Sequence, residues 1–228
     1  MNITTFVAFL ILSFQCLADE LPSSVNAIEN EWASIYYNFP KDKQEIAYSD
    51  LLKKAESLST QFPNNSEPLF WQAVIIATKA ELQEGFSALK SVHKSKDLLI
   101  EAIKLNPKTA NGSAYVTLGT LYYMVPQWPI GFGDNEKAEQ MFIAALKINP
   151  TGIDANYFYG DFLLSNNKPK EAQRFFEIAI KSPTRKEQSY ADEQLKAEAK
   201  LALSHAKDRK LNAIKSAFLS LFNSASLN

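Results

Sequence analysis

The side chains that most often carry catalysis are sparse in this sequence and badly spaced for it. There are two histidines and one cysteine in 228 residues. His93 and His205 lie far apart, without the His-x-x-x-His spacing that sets two imidazoles on one helix face and without a neighbouring cysteine, so they read as surface polar residues rather than metal ligands. Gly131-Phe-Gly-Asp134 has the glycines of a phosphate loop but no Gly-Lys-Ser/Thr after them, and that trio supplies the cation and hydroxyl that phosphates need. No serine elbow, dinucleotide fingerprint or cleft-forming acid pair is found. Asp50 with Glu56, and Asp192 with Glu193, read as solvated helix faces. No catalytic residue, metal ligand or cofactor is therefore assigned, and the chemistry expected of the chain is recognition.

Two groups of residues suit recognition. The first is the segment Trp128–Asp134, where Pro126 and Pro129 stiffen the backbone while Gly131 and Gly133 permit turns that other residues avoid. Asp134, directly before Asn-Glu-Lys-Ala, is placed to cap a helix through its carboxylate. Trp128 and Phe132 either dock on neighbouring helices or contact a partner. The second group comes from helical spacing: Trp71, Ile75 and Thr78; Val116, Thr120 and Tyr123; Asp154, Tyr157, Asp161 and Leu164. Of these, Trp71, Thr120, Tyr123, Tyr157 and Asp161 are the binding candidates. Aromatic rings beside hydroxyls and a carboxylate suit an apolar or cationic peptide, with Tyr123 and Tyr157 as packing residues being the alternative.

Those residues need elements to hold them, and the chain repeats itself. Ile100-Glu-Ala-Ile-Lys-Leu-Asn-Pro107, Ile143-Ala-Ala-Leu-Lys-Ile-Asn-Pro150 and Phe176-Glu-Ile-Ala-Ile-Lys-Ser-Pro183 are three amphipathic helix ends closed by proline, and Leu58-Ser-Thr-Gln-Phe-Pro63 is a weaker copy. The four prolines stand 44, 43 and 33 residues apart, the spacing of helix pairs of which two are enlarged. One enlargement falls at Val125–Asp134, the other near Gln83–Lys90, where it is expected to lengthen a helix. Tyr159-Gly160, Ala172, Phe176 and Ala179 recur in phase with Leu118-Gly119, Ala138, Phe142 and Ala145. Glycine opposite alanine lets two helix axes approach, and the phenylalanines are expected to fill the gap between units.

On those residues the chain resembles the tetratricopeptide repeat (TPR) proteins from about 43 to 183. The first unit departs from the pattern in carrying Val74 where the glycine belongs. The resemblance implies an all-α, right-handed solenoid of antiparallel helix pairs, about three repeats (67–107, 112–150, 153–183) plus flanking helices. The string Leu118–Asp134 followed by Lys137-Ala138 is similar to the T-component proteins of bacterial TRAP transporters, which implies a periplasmic setting beside a solute transporter.

The ends complete the organisation. Residues 1–18 read as a signal peptide, with an apolar run Phe6–Leu12, small residues at Cys16 and Ala18, and cleavage expected after Ala18; the run is too short for a comfortable bilayer span, and an uncleaved anchor is the alternative. Residues 19–42 form an N-terminal segment, Glu45–Gln61 a half-unit, and 184–228 capping helices. Among the latter Lys186–Lys207 is polar-faced, and Leu211, Ile214, Phe218, Leu221 and Phe222 make a final amphipathic helix that either seats on the array end or meets a partner or second copy. Cleavage would leave no cysteine, hence no disulfide. A net charge of -1 argues against nucleic acid and acidic membranes as partners. Two expectations follow: an exported, non-enzymatic adaptor that holds a protein or peptide in a concave groove, or a carrier of a small apolar solute with a cavity near Trp128, Phe132 and Phe158.

Overall fold

In a computed structural model of the chain, residues 3–207 are described, with side chains over 20–206. The expected final helix at 211–222 lies outside that span. The described residues are all helical apart from turns and one isolated bridge between Gln127 and Gly133. Nine α-helices follow in order: α1 Ile3–Asn38, α2 Lys41–Gln61, α3 Ser66–Ala80, α4 Gly85–Leu105, α5 Ser113–Met124, α6 Asn135–Ile148, α7 Ile153–Ser165, α8 Pro169–Lys181 and α9 Ser189–Lys207. No described helix is long and apolar enough to cross a membrane.

Proline sets the helix stops. Helices α2, α4, α6 and α8 end at Gln61, Leu105, Ile148 and Lys181, each two residues before its proline, because the residue preceding a proline is pushed out of helical geometry. Two helix starts use side-chain caps: Asn65 accepts from Glu67 N at 2.9 Å, and Asp134 accepts from Glu136 N and Lys137 N at 3.1 Å each. The enlargement near Gln83 lengthens α4, which begins at Gly85 and runs 21 residues against 14 in α6 and 13 in α8.

Consecutive helices pack as pairs, α3 on α4, α5 on α6 and α7 on α8, with α9 laid on α8 and α7. Gly119 and Gly160 mark the tight crossings. A methyl group at Gly119 would stand 3.1 Å from the Phe142 ring and 3.2 Å from the Ala138 carbonyl; at Gly160 it would meet the Phe176 ring at 2.7 Å. The nearest side chain facing Gly160 is Phe176. Phe142 and Phe176 are wholly buried, and Phe142 lies 5.5 Å from the Phe162 ring of the next pair.

The expected N-terminal segment, 19–42, takes in the second half of α1. Residues 19–38 continue α1, through Pro22. Leu21, Val25, Ile28, Trp32 and Ile35 recur at helical spacing and pack into the core with α2 and α3. The buried amide of Gln44, on α2, then donates to the carbonyls of Ile35, Tyr36 and Phe39, at 3.0–3.2 Å, closing the end of α1.

Candidate functional site

The odd-numbered helices face a common interior. Helices α3, α5, α7 and α9 form its wall, α1 crosses it, and between them lies a partly open cavity of about 710 Å³. Cavities of that size accept small organic molecules. Helix α1 is held over the interior at both edges. Trp32 Nε1 donates to Thr78 Oγ1 on α3 at 3.0 Å, and Lys54 pairs with Glu31 at 2.7 Å. On the far side Gln188 donates to Glu29, Tyr190 Oη donates to Asn38 at 2.7 Å, and the Tyr37 and Tyr190 rings meet edge-on at 6.0 Å.

The middle of the wall is apolar and aromatic. Phe70, Trp71, Val74 and Ala77 of α3 face Val116, Leu121 and Met124 of α5 and Phe158 of α7. Trp32 stacks on Tyr36 at 5.4 Å and tilts against Trp71 at 6.1 Å, so α1 and α3 present one aromatic surface.

Carboxylates concentrate toward two regions. Near one are Glu29, Glu67, Asp154 and Asp192 with the guanidinium of Arg185. Asp192 is buried and clamps Arg185, taking Nη2 at 2.6 Å, Nε at 3.1–3.2 Å and the Arg185 backbone N–H at 2.7 Å. Its expected place on a solvated face is therefore corrected: a residue on a polar helix has been drawn inward by one arginine. Asp154 accepts from Ser113 Oγ at 2.5 Å. Glu67 accepts from Ala110 N at 2.8 Å across a turn in which Ala110, Asn111 and Gly112 all have positive φ (48°, 53° and 98°), a conformation uncommon for alanine that aims this N–H at the acid. In the other region are Glu81 and Glu198, the latter hydrogen-bonded to the hydroxyls of Tyr37 and Tyr157.

The four glutamates among these acids are hard to ionise. Burial pushes the Glu29 carboxyl up to about 7 despite the pull of Arg185, with Asp192, Asp154 and Glu67 adding repulsion. Burial likewise raises Glu81 to about 7, opposed by Lys41 and reinforced by Glu198. Glu67 and Glu198 are also raised by desolvation, each moderated by the hydrogen bonds it accepts. The phenols of Tyr36, Tyr37 and Tyr157 are pushed well above their ordinary range by burial, so they remain neutral donors.

The candidates from sequence divide cleanly. Trp71, Thr120 and Tyr157 line the cavity, as do Thr78, Val116 and Asp154. Tyr123, Asp161, Ile75 and Leu164 do not; they are buried in the helix packing behind the wall. Tyr123 meets Phe162 edge-on at 5.5 Å, and its hydroxyl shares hydrogen bonds with Ser165 and Asp161. Neither Trp128 nor Phe132 lines this cavity, whereas Phe158 does. Phe132 packs between His93 at 4.8 Å and Tyr122 at 5.8 Å under the Lys96 ammonium at 4.6 Å, whereas Trp128 is 87% exposed beside a cis bond to Pro129. Glu29, Glu81, Arg185 and Glu198 were not singled out by sequence. The regular apolar stripe of α1 was the signal that could have drawn Glu29 in, since it gives 19–38 a buried face.

Among the described residues no group of three or more His, Cys, Asp or Glu is arranged to hold a metal ion. No protein-family model matches the chain, and no curated protein matches it.

Proposed function

We propose that the chain is a binding protein of the TPR type, a right-handed α-solenoid of about three helix pairs, that holds a small molecule in its interior. The observation carrying this reading is the cavity under α1: a groove already crossed by the chain's own helix keeps about 710 Å³ lined by rings and acids. Paired helices, glycines at the tight crossings and phenylalanines between pairs support the repeat architecture. Binding rather than catalysis suits a site whose polar groups are mostly engaged with one another.

The setting proposed is the periplasm, with the signal removed after Ala18. The chain would then keep residues 20–38, which supply every described α1 contact to the cavity. Association with a solute transporter, in the manner of the T-component proteins, would give a small-molecule site its purpose. Intact mass of the exported protein checks the cleavage: loss of residues 1–18 is expected, and a full-length membrane-bound product contradicts it.

Native mass spectrometry of freshly purified protein tests the main claim. A stoichiometric, dissociable small mass is expected, and its loss on filling the cavity with Thr120→Trp. A bare chain mass, with the same result after extraction under mild conditions, sinks it. A second reading, a protein or peptide in the groove, has its own observation: α1 is itself an amphipathic helix seated there, so the walls accept a helix. Co-purification of a protein that dissociates on Tyr157→Ala, with helicity unchanged, would favour it.

A further inference from the structure

The lining is unequal in charge. Six carboxylates, Glu29, Glu67, Glu81, Asp154, Asp192 and Glu198, stand against a single guanidinium among the described lining residues, and no lysine faces in. That guanidinium is already committed, clamped by Asp192 and near Glu29. Glu81 is different again. It is exposed at the end of α3, lines the cavity, and its carboxyl makes no hydrogen bond or close ion pair among the described residues. Such a carboxyl is open to an incoming cation.

The distribution sets a length. Glu67 opens α3 and Glu81 follows its last residue, fourteen positions on, so along a helix they are about 21 Å apart. Between them α3 offers Phe70, Trp71, Val74 and Ala77 to the cavity, with no charge. The walls thus run acid, aromatic, acid.

Resting on the small-molecule reading above, we propose that the ligand is an elongated organic di- or polyamine, with its ammonium groups toward the two acidic regions and its hydrocarbon body on the Trp32–Trp71 surface. Ammonium groups find carboxylates and neutral tyrosine hydroxyls, and rings hold methylene chains and cations alike. An anion would face six acids and one occupied arginine. Burial that raises Glu29 and Glu81 makes them take up protons near neutrality, and an arriving cation pulls those protons off.

Isothermal titration calorimetry on the whole purified protein tests this with three probes of matched length: 1,10-diaminodecane, 1,10-decanediol and decanedioate. The diamine is expected to fill one site at least about tenfold more tightly than either other probe, the difference made by a charge-assisted hydrogen bond. Its heat should vary with the ionisation enthalpy of the buffer at pH 7, reporting proton release. Glu81→Gln with Glu198→Gln should weaken the diamine about tenfold and leave the diol unchanged, with circular dichroism checking the fold. Equal or tighter binding of the diol or diacid overturns the amine assignment while the small-molecule reading stands. Binding by none of the three overturns the amine assignment too, and the co-purifying mass then decides the broader reading separately.

Discussion

Glu29 shows at the residue scale what a buried acid does to stability. Its carboxyl is raised from an ordinary 4.5 to about 7, so the folded state holds the proton more tightly than the unfolded chain does. That contribution is fully present below about 4.5 and is lost as pH rises to about 7. Glu29→Gln cannot suffer the loss. The melting temperature of the variant relative to the native chain should therefore climb between pH 4.5 and 7.5, and a flat difference across that range contradicts the assignment. The backbone makes a second prediction. Gly160→Ala places a methyl 2.7 Å from the Phe176 ring and should cost about 1–3 kcal/mol in chemical denaturation. Trp128→Ala, removing a ring that is 87% exposed, should change stability by no more than about 0.5 kcal/mol. Gly160 and Asp134 were legible from sequence because glycine crossings and caps are local patterns. Asp192 was not, since only its contact with Arg185 distinguishes it from Glu193 beside it.

Among the elements, α1 decides the character of the site. The ends of α2, α4, α6 and α8 could be read from sequence because each carries its own stop, a proline two residues on. Nothing local says where a helix will lie, and the placement of α1 rests on contacts with α3 and with residues 188–190. Groove spacing placed Tyr123 and Asp161 in the groove, whereas here they are buried and outside the cavity lining. Trp32 is the ring that joins α1 to the wall, both to Thr78 and to Trp71. Trp32→Ala should loosen α1 selectively: limited proteolysis is expected to cut between residues 20 and 40 well before the rest of the chain. Uniform degradation would mean that α1 is not separately held.

For the molecule as a whole, the two hydrophobic clusters divide the structure along the chain. One gathers α1 to α5, the other α5 to α9. Each is assembled mostly from neighbours in sequence, which is why the all-α class and the paired helices could be read in advance while the cavity could not. Gln188 and Glu29 are 159 positions apart, Tyr190 and Asn38 152. The pairs between α3 and α8 close short loops, whereas the far-side fastening of α1, by Gln188 and Tyr190, must wait for residues at the other end of the chain. Pulse-labelling hydrogen exchange during refolding should accordingly protect α3 to α8 before Ile28–Ile35, and earlier protection of Ile28–Ile35 would contradict this order. An interior crossed by its own first helix is thus completed last in time, so a solute present while the chain refolds meets an open trough rather than a half-covered one.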